Sequence, residues 1–422
     1  MMDSKYTPAL FQETLYSFWE TSNYFKAKIS TDKKPFSIIL PPPNANGNLH
    51  LGHAMFVYED VMIRYKKMMG FETFWVLGLD HAGIETQFVY EKYLKKQGKS
   101  RFDYSREELF KNIWDFVMEN KGTIKGQMRK LGFALDWSRE KFTMDEDIVQ
   151  TVYTTFEHLF NDRLVYRDFK LVNYCTSCGT SFSDLEVNDK ETDGLLYHIK
   201  FPVKGGGEII IATTRPETYV GDVAVMVNPK DKRYKDVIGK KVILPLINRE
   251  IPIIADDYVD IKFGTGAVKV TPSHDFNDFE VGKRHTLAYA PIIGFDGKMQ
   301  NTKLEGLDGL RVKKAREFVV SQLTEKGFLV KIEPHKMVMK VCYRCGTTLE
   351  PLPKEQWFIQ IKPLAQKAVE LVEKDSIKVF PKRFKKQLTT ILENFIDWNI
   401  SRQIVWGIRI PAYKCINQSK GK

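Results

Sequence analysis

The sequence predicts an α/β protein in which a parallel-sheet domain is interrupted by a β-rich domain. Residues 36–40 form a short apolar run that ends in three prolines, and a helical pattern follows at residues 49–69. A second apolar run follows at residues 72–79, which gives the strand–helix–strand order of a parallel sheet. Between residues 180 and 341 the composition changes to short strand-like runs separated by turn residues.

The length and composition of the sequence are those of a folded chain with more than one domain. A length of 422 residues is too great for one ordinary hydrophobic core. No apolar run reaches the ~18 residues of a membrane span, and residues 1–20 carry charges that a signal peptide core would lack. We therefore expect a cytoplasmic protein without a membrane partner. The net charge of +11 suits a polyanionic partner, although a lysine-rich solvated surface would give the same total.

The first predicted strand leads into a loop, residues 41–54, with the sequence P-P-P-N-A-N-G-N-L-H-L-G-H-A. A strand–loop–helix junction presents backbone N–H groups and the positive end of a helix dipole, where phosphates bind. His50 and His53 are three residues apart and can share one helix face, while Gly47 and Gly52 keep Cβ atoms away from a ligand. Neither a G-x-G-x-x-G nor a P-loop pattern is present. By themselves, two such histidines would be ordinary core or surface residues.

The second predicted strand, residues 72–79, ends at Asp80. Ligands of open parallel sheets bind at the carboxyl ends of the strands, and a carboxylate there can pair with an ammonium group. The alternative for an Asp that follows a strand is capping of the next helix. Further helices are expected at residues 105–131 and 145–164, where apolar and charged residues alternate at helical spacing.

Four cysteines form two C-x-x-C pairs, Cys175 with Cys178 and Cys342 with Cys345, and a fifth, Cys415, stands alone. Each pair is followed by a glycine, as in zinc knuckles. In a cytosolic protein such pairs indicate metal or redox sites before disulfides. An inserted domain leaves and rejoins its host at neighbouring points, so we predict one structural zinc bound by all four. Reduced thiols are the alternative.

The β-rich region contains five strand-like runs, at residues 207–213, 223–227, 241–245, 251–255 and 266–271. Two polar segments lie among them, T-T-R-P-E-T at residues 213–218 and G-T-G-A-V-K-V-T-P-S-H-D-F-N-D at residues 264–278. From the residues alone they could be conventional turns of a structural barrel.

Several motifs together resemble one family. P-P-N at residues 42–44 with H-L-G-H at residues 50–53 resembles the first signature of the class I aminoacyl-tRNA synthetases. G-L-D-H-A-G-I-E-T-Q at residues 78–87 is similar to G-T-D-H-A-G-I-A-T-Q of the valine-specific branch, whereas the isoleucine branch usually carries a D-C-H-G-type sequence there. Residues 131–138 and 397–413 also match family segments, with departures at Asn399, Val405, Ile408 and Tyr413.

The resemblance implies a Rossmann-like catalytic domain that begins in residues 1–179 and resumes in residues 342–422, with an editing domain at residues 180–341 between them. The implied substrates are valine, ATP with Mg²⁺, and the tRNA for valine. The family's two histidines, here His50 and His53, stabilise the ATP phosphates as catalytic residues. The implied ATP-binding residues are Asn44, Gly47, His50, Gly52 and His53. The implied amino-acid-binding residues are Pro42, Pro43, Asn44, Asp80, which holds the α-ammonium group, and Trp398, which walls the pocket.

The two polar segments of the β-rich region are similar to the two signatures of the family's editing insertion. By that resemblance Asp278 holds the α-ammonium group of a mischarged ester, and Lys269, Thr271 and Asp275 bind a side-chain hydroxyl. Thr214, Arg215 and Thr218 position the terminal adenosine and the water. Valine and threonine are isosteric, so an apolar pocket cannot strongly separate them, and valine-specific synthetases are the usual example of this limit.

The 422 residues contain neither the family's Lys-Met-Ser-Lys-Ser-type loop nor an anticodon-binding domain. We expect a missing C-terminal portion or a companion chain to carry them. Three alternatives remain: an editing hydrolase alone, a non-catalytic zinc-containing tRNA-binding fragment, and an isoleucine enzyme, against which residues 80–83 argue. The basic residues between 378 and 386 could meet the tRNA acceptor arm or form a solvated helix face.

Overall fold

The computed structural model describes residues 7–29, 32–183 and 186–413, so Cys415 lies outside the described residues. The chain divides into two compact units. The first contains Met1–Asn161 and Ile404–Lys422, and the second is the intervening stretch, Asp162–Gln403. The first unit is thus assembled from two separate parts of the chain. The predicted domain boundaries at residues 180 and 341 differ from these limits and stay a prediction.

The strands of the first unit pair in parallel, which confirms the predicted α/β class. β1 (Pro35–Ser37) pairs with β2 (Glu72–Phe74), and β3 (Gly78–Leu79) pairs with β4 (Lys141–Phe142). The predicted single strand at residues 72–79 is therefore two short strands. It divides because the chain changes partner along its length, from β1 to β4.

The predicted buried strand at residues 36–40 is wrong in its extent. β1 ends at Ser37, and the side chain of Ile39 is exposed. The three prolines at residues 41–43 have no N–H group to donate to a ladder. Among the described residues, β1 has β2 as its only partner strand.

The helices of the first unit agree with the predicted helical stretches. A 3-10 turn, Leu51–Ala54, leads directly into the helix that follows the loop. The long fourth helix begins with a capping box in which the Ser105 hydroxyl accepts a hydrogen bond from the Glu108 N–H. The five helices described in this unit are α1 (Pro8–Thr21), α2 (Met55–Met68), α3 (Gly83–Lys96), α4 (Arg106–Lys130) and α5 (Glu146–Asn161).

The second unit is rich in β-strands, as predicted for the stretch between the cysteine pairs, and most of its described strand pairs are antiparallel. Its described strands form three sheets, in the orders β15-β14-β5-β6, β13-β7-β8 and β10-β11-β9-β12. The strands are β5 (Val165–Cys175), β6 (Thr180–Phe182), β7 (Val187–Pro202), β8 (Glu208–Thr213), β9 (Ala224–Val227), β10 (Lys241–Leu244), β11 (Arg249–Ala255), β12 (Ala267–Val270), β13 (Leu329–Cys342), β14 (Glu350–Ile359) and β15 (Trp398–Asn399). The helices are α6 (Phe276–Arg284), α7 (Val312–Glu325), α8 (Lys362–Glu373) and α9 (Phe384–Glu393).

A long antiparallel ribbon is formed by β7 and β13, which pair along nearly their whole length. Cys342, the last residue of β13, lies opposite Val187, the first residue of β7. β7, which begins nine residues after Cys178, and β13, which leads into the second cysteine pair, therefore run side by side. This pairing brings two regions together that are far apart in the sequence.

Each unit has its own apolar core. In the first, Trp75, Leu79 and Ile113 are almost completely buried. In the second, Ile211 and Val225 belong to a core drawn from several strands. No helix in the described part of the chain is long and apolar enough to cross a membrane.

Candidate functional sites

The loop after β1 lies against the end of β3. The Ala45 N–H donates to the Asp80 carbonyl at 2.8 Å, and the Asp80 N–H donates to the Pro43 carbonyl at 3.0 Å. Farther along the loop, the Leu49 N–H donates to the side-chain oxygen of Gln127 at 2.8 Å. The first unit thus joins the predicted Pro42–Pro43–Asn44 segment to Asp80 at one sheet edge.

His50 and His53 cap the 3-10 turn reciprocally. The Gly52 N–H donates to His50 Nδ1 at 3.1 Å, and the His50 N–H donates to His53 Nδ1 at 3.0 Å. The second bond is shorter than the 3.3 Å between His53 Nδ1 and the His50 carbonyl, so we assign His53 Nδ1 as an acceptor. A ring nitrogen that accepts carries no proton, which puts the proton of each neutral ring on Nε2.

The two imidazoles lie close together, with ring centroids 4.1 Å apart. Partial burial and the neighbouring His50 lower the pKa of His53, which favours the neutral ring. Each neutral ring keeps an Nε2–H that the capping bonds do not use. Such a pair of donors suits phosphate oxygens.

Gly52 has a local reason to be glycine. An added Cβ would lie 2.8 Å from Cε1 of the His50 ring, which is closer than such atoms approach. A Cβ at Gly47 would meet no atom within 4 Å. Gly52 thus makes room for the protein's own imidazole, whereas Gly47 has no comparable packing constraint.

The Asp80 carboxylate is partly committed to the start of α3. Its Oδ1 accepts from the Ala82 N–H at 2.9 Å and from the Thr143 hydroxyl at 3.3 Å. Asp80 can cap the start of α3 and still bind an ammonium group, because its side chain remains 38% exposed. Thr143 also accepts from the His81 N–H at 2.8 Å, a role that the sequence did not suggest.

Trp398 lies in the second unit, in the short strand β15, opposite Ile359 of β14. Its side chain is about half exposed. An exposed indole of this kind can still form a wall for a ligand. Its predicted role in the amino-acid pocket stays a prediction.

The four predicted cysteines come together in the second unit. Their sulfur atoms all lie within 4.8 Å of one another. Three pairs are 3.5 Å (Cys175–Cys345), 3.6 Å (Cys178–Cys345) and 3.9 Å (Cys178–Cys342) apart. Four sulfurs at about 2.3 Å from one ion form a tetrahedron with edges of about 3.8 Å, so this set fits a single zinc ion. The distances are far too long for disulfides.

The turn after each cysteine pair needs a left-handed residue. Gly179 has φ +66° and donates its N–H to the Cys175 carbonyl at 2.8 Å. Gly346 has φ +71° and makes the matching bond to Cys342 at 2.9 Å. The two knuckles are therefore alike in backbone, as expected for two halves of one site.

Four polar side chains form a buried cluster between β12, α6 and the residue that follows the 3-10 turn Pro216–Gly221. The Thr271 N–H donates to the Asp278 carboxylate at 2.8 Å, and the Thr271 hydroxyl donates to Asp222 at 2.6 Å. The Lys269 ammonium donates to Asp222 at 3.2 Å and also to the Thr271 hydroxyl oxygen. Three of the residues predicted for editing thus lie in one hydrogen-bonded group.

The carboxyl groups of this cluster are shifted toward their neutral forms. Burial and the nearby Asp275 raise the pKa of Asp278 to about 7. Burial also raises the pKa of Asp222 to about 6, although Lys269 opposes the shift. Asp275 itself is exposed and caps α6, accepting from the Asn277 N–H at 2.8 Å. The cluster can therefore exchange a proton near neutral pH.

Arg215 is held by a buried ionic network. Its guanidinium donates to Glu217 at 3.2 Å, to Glu350 at 2.6 Å and to the His274 carbonyl at 3.3 Å. Arg316 of α7 donates to both oxygens of Glu217 at 2.8 and 2.9 Å. In this structure three hydrogen bonds of Arg215 are thus engaged in fixing the turn, out of the five N–H donors of a guanidinium.

The remaining predicted residues of that segment, Thr214 and Thr218, lie just before and within the 3-10 turn. The Thr218 hydroxyl donates to the Arg215 carbonyl at 3.0 Å, and Thr214 is half-buried. The roles predicted for these side chains at the terminal adenosine stay predictions.

Comparison with known sequences decides the family. The profile of the tRNA synthetases class I (I, L, M and V) matches residues 14–420. The chain belongs to the class I tRNA synthetases. This confirms the family resemblance drawn from the short motifs.

Among curated class I synthetases, this chain is similar to two bacterial proteins named "Valine--tRNA ligase". The protein of Clostridium acetobutylicum is 46% identical over 418 residues, which are 98% of this chain and 47% of that protein. The protein of Fusobacterium nucleatum subsp. nucleatum is 47% identical over 416 residues, again 98% of this chain and 47% of the relative. The chain thus spans about half the length of the curated relatives it matches.

Among solved structures, this chain is similar to one in the LeuRS–tRNA–LeuAMS ternary complex of Agrobacterium radiobacter K84. The match covers 82% of this synthetase chain and 49% of the chain in that complex. The identity is 19% and the TM-score 0.39.

Sequence reasoning missed one member of the buried cluster of this synthetase, Asp222. A signal was present, because Asp222 is the only charged residue in the run Y-V-G-D-V-A-V-M-V at residues 219–227. A carboxylate in so apolar a run is costly unless it has partners. Glu217 and Arg316 were missed for another reason: their pairing joins residues that are distant in the sequence.

Proposed function

We propose that this class I synthetase acts as a valine–tRNA ligase that also hydrolyses threonine esters of the same tRNA. The observation that carries the proposal is 46–47% identity to two proteins named "Valine--tRNA ligase" over 98% of this chain. G-L-D-H-A-G at residues 78–83 supports valine over isoleucine as the substrate. ATP with Mg²⁺ is the co-substrate that the family activity requires.

In the synthetic reaction the valine carboxylate attacks the α-phosphate of ATP, and pyrophosphate leaves. Valyl transfer to a ribose hydroxyl of the tRNA then releases AMP. The Nε2–H groups of His50 and His53, which the capping bonds leave unused, can donate to phosphate oxygens as charge develops on them. The exposed face of Asp80 can pair with the valine ammonium group. Catalysis of this kind depends on positioning and charge stabilisation.

In the editing reaction water attacks the ester carbonyl, the bond to the ribose oxygen breaks, and that oxygen takes a proton. Ionised Asp278 would hold the α-ammonium group of the ester. Lys269 and Thr271 would bind the threonine hydroxyl, which valine lacks. The hydrogen bonds that connect these three residues, one of them from the Thr271 backbone N–H, support the proposal.

The four cysteines would hold a structural zinc ion, which when bound would cross-link the chain segments that carry them. The sulfur distances support this part of the proposal. Cys175 ends β5 and Cys342 ends β13. The ion would thus join the base of the β7–β13 ribbon to the sheet that contains β5 and β14.

Contact with tRNA is proposed for the basic stretch before and within α9. Lys378, Lys382, Arg383 and Lys386 are exposed, as phosphate contacts require. Lys385 differs, because its ammonium donates to Asp375 at 2.8 Å. Charge reversal at the exposed residues should weaken tRNA binding more strongly at low salt.

A deacylation assay tests the editing half of the proposal. The 422-residue chain should hydrolyse the threonyl ester of the tRNA for valine faster than the valyl ester. Asp278→Ala should abolish the hydrolysis, since the substrate ammonium would lose its carboxylate. Asp256→Asn is the matched control, because Asp256 is also buried and paired with a cationic side chain, that of Arg284, but lies outside the cluster. Equal cleavage of the two esters, or full activity in Asp278→Ala, would refute the assignment.

A second candidate is an editing hydrolase without synthetic activity. It is favoured by one observation: Lys269, Thr271 and Asp278 of the editing segments lie in one buried, hydrogen-bonded group. Valine-dependent ATP–pyrophosphate exchange separates the two candidates.

A further inference from the structure

We propose that Asp222 is a positioning residue that fixes the hydrogen-bond directions of Lys269 and Thr271, so that their pocket takes a hydroxyl group and disfavours a methyl group. The inference rests on the proposed editing function, since it concerns specificity at that site. It adds a residue that neither editing segment contains.

Asp222 is a completely buried acidic residue of the second unit. It follows the 3-10 turn Pro216–Gly221 and precedes β9, and its side chain has no exposed surface. Arg249 clamps the surrounding backbone by donating to the Val220 carbonyl at 3.0 Å and to the Asp222 carbonyl at 2.5 Å. The carboxylate is therefore held firmly, as a positioning group must be.

One carboxylate oxygen of Asp222 sets the directions of two neighbours. Oδ1 accepts from the Thr271 hydroxyl at 2.6 Å and from the Lys269 ammonium at 3.2 Å. A hydroxyl has one proton, so Thr271 spends its only donor on Asp222. Its oxygen is left as an acceptor, and Lys269 already donates to it.

The remaining capacity of the pair matches a hydroxyl group. Lys269 has three N–H donors, of which Asp222 and Thr271 take two. A substrate hydroxyl could accept from the third and donate to the free lone pair of Thr271. A methyl group could do neither and would leave a buried donor unsatisfied, which costs binding energy. This is the asymmetry that lets a polar pocket reject an isosteric apolar group.

The second oxygen of Asp222 points to the same conclusion. Oδ2 is buried and receives no hydrogen bond from any residue in the described ranges. An uncompensated carboxylate oxygen is costly in the interior. Asp222 thus keeps a destabilising oxygen together with the two bonds that its Oδ1 accepts from Thr271 and Lys269, as expected of a group kept for function rather than stability.

The test measures binding of two non-hydrolysable probes, adenosine carrying threonine or valine through a ribose amide bond. The unmodified chain should bind the threonyl probe more tightly. Asp222→Asn is nearly isosteric but carries an amide donor, so Thr271 would no longer be a pure acceptor. We expect the threonyl preference to fall by about 10- to 100-fold, as for loss of a hydrogen bond to a charged group. The affinity for the valyl probe should change little.

Two further variants separate positioning from simple stability. Asp222→Glu keeps the charge but moves the oxygens, and it should also lose preference. Asp256→Asn removes a buried charge elsewhere and should keep it. An unchanged preference in either Asp222 variant would overturn the inference.

A second readout is independent of the probes. Because its ammonium is buried between Asp222 and Thr271, Lys269 should give a resolved, slowly exchanging N–H signal in NMR spectra. Asp222→Asn should lose that signal, and Asp256→Asn should keep it. A signal that survives in Asp222→Asn would contradict the positioning role. If the unmodified chain shows the signal but no threonyl preference, the editing proposal and the specificity role both fail, while the hydrogen-bond geometry stands.

Discussion

At the scale of single residues, the buried Asp278 shows how a binding group can cost stability. Its pKa is raised to about 7 in the folded chain, against about 3.9 in an unfolded one. Between about pH 4 and pH 7 the folded state therefore holds a proton that the unfolded state has lost. Stability falls across that window as pH rises.

Asp278→Asn should consequently stabilise the chain at pH 8. The gain is at most about 4 kcal/mol, since each pKa unit corresponds to about 1.4 kcal/mol. It should shrink toward zero below about pH 4, where both side chains are neutral. Urea unfolding at the two pH values measures it. A variant that is less stable than the parent at pH 8 would show that Asp278 is not a buried, destabilised acid.

The same titration predicts the pH dependence of editing. Only ionised Asp278 can pair with an ammonium group, so hydrolysis of the threonyl ester should rise from about pH 6 to about pH 8. The rate is measured at fixed ionic strength and corrected for spontaneous ester hydrolysis. A flat pH profile would show that ionisation of Asp278 does not control the rate of ester hydrolysis.

Gly52 gives a second prediction at this scale. Gly52→Ala should push the His50 ring from its capping position, because the new Cβ would lie 2.8 Å from Cε1. We expect a loss of about 0.5 to 2 kcal/mol of unfolding free energy, the usual worth of an N-cap. Gly47→Ala is the control for stability, since its Cβ meets nothing within 4 Å. Equal effects of the two substitutions would argue against the capping role.

Short sequence motifs were enough to predict residues whose hydrogen bonds are local in the sequence. Residues whose contacts span long sequence separations were missed. His50 and Gly52 sit in one motif, and the capping bonds join residues two and three positions apart. Asp222 reaches Thr271 across 49 positions, and no periodicity in the sequence reports such a contact. Its one signal was a charge inside an apolar run.

At the scale of elements, the same distinction governs the strands. The strands β8 to β12 between the cysteine pairs were predictable because each is mainly apolar and bounded by turn residues. The long strands β7 and β13 were missed, because charged residues interrupt their apolar pattern. The division of residues 72–79 into β2 and β3 was not, since it follows from a change of partner strand. The extent of β1 was also overestimated, because apolar composition alone does not show whether a second neighbouring strand is present.

The cysteine site gives a prediction for the β7–β13 ribbon. Protein purified without chelator should contain one zinc per chain, and Cys178→Ser should lose it. Removal of the ion should lower the unfolding temperature, because binding free energy is coupled to folding. The ribbon base near Val187 and Cys342 should then exchange amide hydrogens faster. Two zinc ions per chain would mean separate sites, and an absence of zinc would leave four reduced thiols.

At the scale of the whole molecule, the residues proposed for phosphate binding and those proposed for editing lie in different units. The predicted ATP-binding residues and Asp80 belong to the first unit, and the editing cluster belongs to the second. Each unit has a separate apolar core. The second unit therefore contains, in one continuous stretch, all of the residues proposed for editing.

This division predicts unequal activities for the 422-residue polypeptide. Valine-dependent ATP–pyrophosphate exchange needs charge stabilisation on both sides of the phosphates, and these residues supply only the histidine side. Loss of one major transition-state contact costs about 2.7 to 4 kcal/mol, or about 10²- to 10³-fold in rate. Exchange should thus be slower by that factor than in a full-length relative, while the preference for threonyl over valyl ester persists. His50→Ala should reduce the residual exchange further and leave ester hydrolysis unchanged, because His50 and the editing cluster lie in different units. Exchange at the full-length rate would show that the histidine loop suffices without the lysine-containing loop.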